Sequence, residues 1–126
     1  MAIAALVLFA HGARDPAWSA PFQRVLARVN ARAPERAALL AYLELMQPDL
    51  ATAIAAQVSR GFTDIRIVPL FLGPGGHVRN DLPRMVAAAR ARHPGVSIEL
   101  LGPAGEDAAV IESLADYCLR EAQPGA

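Results

Sequence analysis

The chain has 126 residues, 54% of them apolar, and a mean hydropathy of +0.28, which predicts a globular domain with its own core and excludes an intrinsically disordered chain. All 12 basic residues are arginines and are balanced by 12 acidic residues, so no nucleic-acid partner is expected. The absence of lysine excludes Schiff-base chemistry and the lysine of a nucleotide phosphate loop.

Four apolar segments have the length and composition of buried strands, and four amphipathic segments between them predict helices. In chain order they are strand Ala2–Phe9, helix Pro16–Arg32, strand Ala37–Leu45, a helix from near Pro48 to Gly61, strand Ile65–Leu72, helix Asp81–Arg92, strand Val96–Leu101 and helix Asp107–Glu121. This alternation predicts an α/β fold, with a four-stranded parallel sheet between helices. We expect one domain over residues 1–126, with strand order 2-1-3-4.

Each helix is expected to bury one apolar face. The expected buried residues are Trp18, Phe22, Val25, Leu26 and Val29 in the first helix, and Val110, Ile111, Leu114 and Cys118 in the last. Cys118 is the only cysteine, so it cannot form an internal disulfide, and we interpret it as a small core residue.

The third strand runs into a glycine-rich turn, Gly73–His77. Asn80 or Asp81 is expected to cap the next helix, with Pro83 in its first turn. Pro69 lies inside the predicted strand and cannot donate a ladder hydrogen bond, so either the ladder ends near Val68 or a bulge is present.

Polar side chains mark the carboxyl ends of the first three strands. These are His11, Glu44 and His77. With strand order 2-1-3-4 the three strands are neighbours about 4.8 Å apart, so the side chains are expected to converge on one edge, where ligands bind in open α/β sheets. Two imidazoles and a carboxylate suit a divalent transition metal, and they also form an acid–base set near neutral pH.

Residues suited to binding an anionic substrate flank the same edge. The guanidinium groups of Arg14 and Arg79 suit carboxylate or phosphate groups. Gly75 and Gly76 belong to a loop that can cradle an anion at a helix start, although it lacks the spacing and the lysine of a nucleotide phosphate loop.

Three segments resemble the small class II chelatases that act on sirohydrochlorin, namely the short cobaltochelatases and their siroheme ferrochelatase relatives. They are Leu8–Pro16, Tyr42–Pro48 and Val68–Val78, with Asp81-Leu82-Pro83 continuing the last one. The resemblance covers nearly the whole chain in order and spacing. Ala13 is a departure, because the family commonly has serine there, and any role of that hydroxyl is missing.

The resemblance implies a flavodoxin-like chelatase half-domain that inserts a divalent metal, Co²⁺ first with Fe²⁺ or Ni²⁺ as other candidates, into sirohydrochlorin. It implies that His11 and His77 bind the metal, that Glu44 accompanies them, and that all three are catalytic. Arg14, Gly75, Gly76 and Arg79 would contact the tetrapyrrole. The metal is the substrate, and no organic cofactor is expected. A homodimer is expected because longer relatives contain two such halves.

Two other functions use the same residues. A non-catalytic carrier of metal or tetrapyrrole needs the same ligands as a chelatase. A histidine phosphatase also places His-Gly after its first strand, but it normally carries arginine immediately before that histidine, where this chain has Ala10.

The sequence predicts a cytoplasmic protein without a membrane partner. Its longest N-terminal apolar run, Ala2–Ala10, is too short to cross a bilayer, and no basic segment precedes it as in a signal peptide.

Overall fold

The computed structural model describes residues 3–73 and 75–123, with His77 described by its backbone alone. The strands are β1 (Ala5–Ala10), β2 (Leu39–Tyr42), β3 (Asp64–Pro69) and β4 (Ser97–Leu100), and the helices are α1 (Ala20–Arg32), α2 (Leu50–Ser59), α3 (Gly76–Arg92) and α4 (Ala108–Glu121). Short 3₁₀ turns are formed by Pro16–Ser19, Pro34–Arg36 and Ala104–Glu106. None of the helices in the described residues is long and apolar enough to cross a membrane.

The four strands form one parallel sheet in the order β2-β1-β3-β4, which confirms the predicted fold class and strand order. Alternate residues of β1 point to opposite faces, as strand geometry requires. Val7 and Phe9 join the core under α2 and α3, whereas Leu8 and Ala10 pack in a second cluster under α1. Burial on both faces explains why β1 and β2 read as continuous apolar runs, whereas β3 and β4 carry exposed charged residues, Arg66 and Glu99.

Gln57 is the polar side chain in the middle of this core. It is fully buried on α2, and its amide nitrogen donates to the main-chain oxygens of Leu6 at 3.1 Å and Ala37 at 2.6 Å. A buried amide is tolerated when it is hydrogen-bonded. Gln57 therefore ties α2 to β1 and to the turn that leads into β2.

Helix α3 begins earlier than predicted. Gly75 takes the N-cap position, and glycine is an acceptable cap, so neither Asn80 nor Asp81 is needed in that role. Pro83 stands inside the helix and not in its first turn, which removes one main-chain hydrogen bond to Arg79. As a result, His77 and Arg79 belong to the first helical turn and not to a loop.

The predicted core of the two outer helices is partly wrong. In α1, Phe22, Leu26 and Val29 do pack against the sheet, but Val25 is exposed, as is Trp18 in the turn before the helix. No residue of α4 is buried, and Ile111, Leu114 and Cys118 are all exposed. Helical spacing identifies an apolar face but not what covers it, and here the sheet does not cover the face of α4.

Other local predictions are confirmed in part. Gly61 follows the end of α2 with a φ of +95°, the left-handed conformation that glycine favours at a helix end. Pro69 is the last residue of β3 and is still paired with Phe9 of β1, so this pairing extends past Val68, where the ladder was expected to end. The hydrogen bond to the Phe9 carbonyl is donated by Leu70 at 2.7 Å, so it does not need an N–H from proline. Strand β2 is shorter than predicted, which leaves Glu44 in the loop beyond it.

Asp49 caps α2, with its carboxylate accepting the N–H of Thr52 at 2.9 Å. Hydrogen bonds from the Thr52 side chain and then its main chain lower the pKa of Asp49 below its ordinary value of 3.8. A lowered pKa stabilises the folded state above the unfolded-state pKa, and this stabilisation is lost as pH falls through the folded-state value.

Asp49→Ala is therefore expected to lower the free energy of unfolding by about 1 kcal/mol at pH 7, the usual value of a helix cap. Urea denaturation at several pH values measures the loss, which should shrink below pH 3.8 as the carboxylate is protonated. Asp49→Asn is the control, since it keeps a capping oxygen without the charge. An equal loss in both variants would contradict capping by the side-chain oxygen, and a loss in Asp49→Ala that does not shrink below pH 3.8 would contradict the assignment to the carboxylate.

Candidate metal centre

The candidate site lies at the carboxyl edge of the sheet, where β1, β2 and β3 all end. His11 is the first residue after β1, and Glu44 lies in the loop after β2. His77 is in the first turn of α3, the helix that follows β3. Because β1 is paired with both β2 and β3, the loops carrying these residues are neighbours.

His11 and Glu44 are brought together as predicted. The His11 Nδ1 atom lies 3.2 Å from the Glu44 Oε1 atom, and the two side chains are 41% and 42% exposed. An ionised carboxylate can only accept a hydrogen bond, so Nδ1 is the donor in this pair, and in the neutral imidazole Nε2 then keeps its lone pair. A carboxylate in this position holds the tautomer and orientation that a metal-binding imidazole needs.

The imidazole of His11 also packs on an aromatic ring that the sequence reading did not assign to the site. Its centroid lies 4.7 Å from that of Phe71, with the planes tilted by 43°. Phe71 is buried and makes an edge contact with Phe9 at 5.8 Å. Phe71 falls within the predicted third strand, so its aromatic character indicated core packing and gave no sign of a second role.

Glycine is required immediately after His11. A Cβ atom on Gly12 would overlap the main-chain oxygen of Glu44 and come within 3.3 Å of Met46. The main-chain N–H of Leu43 donates to Ala10 at 2.9 Å, continuing the pairing of β1 with β2. These contacts fix the His11 loop directly against the Glu44 loop, which is what allows the two side chains to meet.

A cavity of about 480 Å³ opens beside the pair. It is lined by His11, Leu43, Glu44, Gly75, Val78 and Asp81. In sequence, His77 lies between two of the lining residues, Gly75 and Val78. Its side chain is outside the described part of the structure, so its place in the centre stays a prediction. Asp81, predicted only as a helix cap, adds a second carboxylate to this cavity.

The described side chains alone do not complete a metal site. Among residues 3–73 and 75–123, with the His77 side chain outside this set, no three histidine, cysteine or acidic side chains are grouped closely enough to hold an ion. The described part of the centre is therefore a two-residue unit, His11 with Glu44, beside the helix turn that carries the second histidine.

The predicted substrate-binding residues are divided between several places. Gly75 lines the cavity beside His11, and Gly76 opens α3. Arg79 lines a neighbouring, mostly apolar cavity of about 200 Å³ with Phe71, Leu82 and Glu106 among its walls. Arg14 is exposed in the loop after His11, and the described residues that line these two cavities do not include it. Val78 borders both cavities, so the first turn of α3 separates them.

The family model described as CbiX matches residues 5–121, nearly the whole chain. The chain belongs to the CbiX family. A putative cobalamin biosynthesis CbiX protein from Marinobacter aquaeolei has a closely similar structure, with a TM-score of 0.82 and 34% identity over 94% of this chain and 97% of that one.

Longer relatives match this CbiX-family chain over part of their length. SirB from Bacillus subtilis subspecies spizizenii, a sirohydrochlorin chelatase whose structure contains cobalt, has a TM-score of 0.81 and 28% identity, over 95% of this chain and 51% of that one. A sirohydrochlorin ferrochelatase of Bacillus subtilis is 33% identical over 75 residues, or 60% of this chain and 29% of that protein. The chain thus spans about half of SirB and less than a third of that ferrochelatase.

Gly12→Ala is expected to lower the free energy of unfolding by about 1–3 kcal/mol, because the added methyl group must push the Glu44 main chain away. Urea denaturation measures this loss. Gly95→Ala is the matched control, because a Cβ atom there meets no described atom within 4 Å. Equal stability of the two variants would contradict the close packing of the two loops.

Proposed function

We propose that this chain inserts a divalent metal ion, Co²⁺ or Fe²⁺, into sirohydrochlorin. The observation that carries the proposal is the His11–Glu44 pair at the open carboxyl edge of a CbiX-family sheet. Relatives in sequence are named sirohydrochlorin ferrochelatase in Bacillus subtilis and sirohydrochlorin cobaltochelatase in Methanopyrus kandleri. The metal is a substrate in this reaction, and no organic cofactor enters it.

Metal delivery is proposed to use the two histidines. Glu44 accepts a hydrogen bond from the Nδ1–H group of His11, which leaves Nε2 as the atom that binds the metal. His77, in the first turn of α3, supplies the second imidazole in this proposal. Nitrogen ligands suit Co²⁺ and Fe²⁺ alike, so the ligand set does not by itself choose the metal.

Insertion releases two protons, because two pyrrole N–H groups of the tetrapyrrole are replaced by bonds to the metal. Glu44 and an imidazole that has released its metal are the proposed acceptors, and both are partly open to the cavity. Arg79, with Arg14, Gly75 and Gly76, is proposed to bind the peripheral carboxylates of the substrate, since guanidinium groups pair with carboxylates.

We further propose that the chain acts as one domain in the cytoplasm, without a nucleic-acid or membrane partner.

His11→Ala and His77→Ala are each expected to reduce the rate of Co²⁺ insertion at least 100-fold while the fold is kept. The absorbance of sirohydrochlorin, followed over many turnovers per chain, measures this rate. His93→Ala is the matched control, since His93 caps the far end of α3 and should leave the rate unchanged. Near-normal turnover in both site variants would refute the assignment, and tight binding without turnover in the unaltered protein would favour a carrier.

A homodimer joined through α4 is part of this proposal. Helix α4 contacts the turn Ala104–Glu106, and its apolar stripe, formed by Val110, Ile111, Leu114, Tyr117 and Cys118, is largely exposed, with Ile111 at 47% and Tyr117 at 53%. A solitary 14-residue helix is marginally stable in water, so such a stripe is expected to have a partner.

The nearby sheet surface does not match this stripe. On the α1 face of the sheet, Arg66 pairs with Asp64 and Glu99, each at 3.7 Å. A charged surface is poorly suited to covering an apolar stripe, because its ions would lose their water. A second copy, carrying the same stripe, has the required chemistry, and a two-fold interface brings identical patches together.

Leu114→Asp is expected to convert the dimer to a monomer, because it places a charge in the centre of the stripe. Sedimentation analysis measures the mass in solution. Leu119→Asp is the matched control, since Leu119 is also exposed but lies on the other side of α4 by helical periodicity. A monomeric unaltered protein, or a Leu114→Asp protein that remains dimeric, would contradict this interface.

A further inference from the structure

The main chain of His11 is held by a side chain that lies outside the strands. His11 follows the last residue of β1, so the sheet ladder does not extend to its carbonyl group. That carbonyl oxygen instead accepts a hydrogen bond from the indole nitrogen of Trp18 at 2.7 Å, at the short end of the range for an N–H donor. The bond spans the loop that separates His11 from the turn Pro16–Ser19.

Trp18 is itself fixed by local contacts. Its main-chain N–H donates to Asp15 at 3.0 Å, and the Asp15 carboxylate caps the same turn by accepting the N–H of Ala17 at 2.9 Å. The indole ring packs on Phe22 of α1 at 5.7 Å, and Phe22 in turn packs against the sheet. The donor therefore stands on an element anchored to the body of the protein.

The position of Trp18 is not explained by burial. Its side chain is 43% exposed, so it contributes less to the core than its place on the apolar face of the first predicted helix suggested. An exposed indole with its N–H directed at one particular carbonyl group is explained better by a role in holding that carbonyl group than by hydrophobic packing.

The consequence falls on the imidazole of His11. Its ring lies on Phe71 and its Nδ1 atom bonds Glu44, so its orientation depends on where the His11 backbone lies. The indole bond fixes the carbonyl group of that backbone. Three separate elements thus orient one imidazole: the Glu44 loop, the segment after β3, and the turn before α1.

We propose that Trp18 is a positioning residue for metal insertion, acting through the main chain of His11 to hold its imidazole in the Nδ1-protonated, Glu44-bonded orientation. The proposal rests on the proposed function for the statement that His11 receives the metal. Outer contacts of this kind typically change metal affinity by about 10-fold to 100-fold.

The test removes the donor and keeps an aromatic ring. Trp18→Phe is expected to weaken Co²⁺ binding about tenfold, measured by visible absorption during titration of the protein with the metal alone. In the metal-free protein, the two ring nitrogens of His11 should have well-separated ¹⁵N chemical shifts, and in Trp18→Phe these should move towards each other as the ring samples both tautomers. Val25→Ala, at an exposed position of α1 that has no part in holding the indole, is the control and should leave both measurements close to those of the unaltered protein.

If Trp18→Phe fails to fold, replacement of Trp18 by benzothienylalanine provides the second variant, because sulfur takes the place of the N–H in a ring of the same shape. Unchanged ¹⁵N shifts of His11 in either folded variant would overturn the positioning role, whatever the protein does with metal. Failure of the proposed function gives a different result, namely Co²⁺ binding that survives in His11→Ala. The chemical shifts test the positioning of the imidazole independently of that outcome.

Discussion

Strand β1 is paired in parallel with both β2 and β3, and the position of every candidate ligand depends on this pairing. Val7 and Phe9 are completely buried, so the strand cannot shift by one residue without turning its apolar side chains to the wrong face. The register places Ala10 opposite Tyr42, so the loops that follow start at the same height on the sheet. Because all strands run in one direction, these loops open on the same edge, where His11 and Glu44 meet.

Close main-chain contacts then convert this shared edge into a defined geometry. Gly12 lies directly against the Glu44 main chain, and Gly105 lies directly against the Leu72 main chain, with no room for a Cβ atom at either place. The N–H of Gly105 also donates to Phe71 at 2.8 Å. The loop after β2 is thereby fixed to the loop after β1, and the turn after β4 is fixed to the segment whose aromatic ring supports His11.

The turn Ala104–Glu106 and helix α4, which follows it, differ in what they contribute to the core. The turn Ala104–Glu106 packs beneath the segment that carries Phe71, whereas α4, which follows it, contributes no buried residue. The sheet face beside β4 carries the Arg66–Glu99 ion pair, which does not match the apolar stripe of α4. The exposure of that stripe is consistent with the homodimer proposed above.

Much of the fold follows from patterns that are local in sequence. Four apolar runs alternating with four amphipathic segments determine a parallel α/β sheet, and the placement of His11 and Glu44 at strand ends determines that they share an edge. These features depend on the periodicity of apolar residues and on the order of the segments, and both can be read directly from the sequence. The side chain of His77 lies outside the described residues, so its part in the centre rests on the sequence and its resemblance to chelatases.

The tertiary structure decided which surfaces and side chains meet. Phe71 supports the His11 imidazole and Trp18 holds its carbonyl group, although both read as ordinary apolar residues. Helix α3 begins at Gly76 with Gly75 as its N-cap, so the predicted caps Asn80 and Asp81 lie inside the helix. The apolar face of α4 was predictable from its spacing, but its exposure was not, because burial depends on which surface the fold places against the helix and helical periodicity carries no information about that surface.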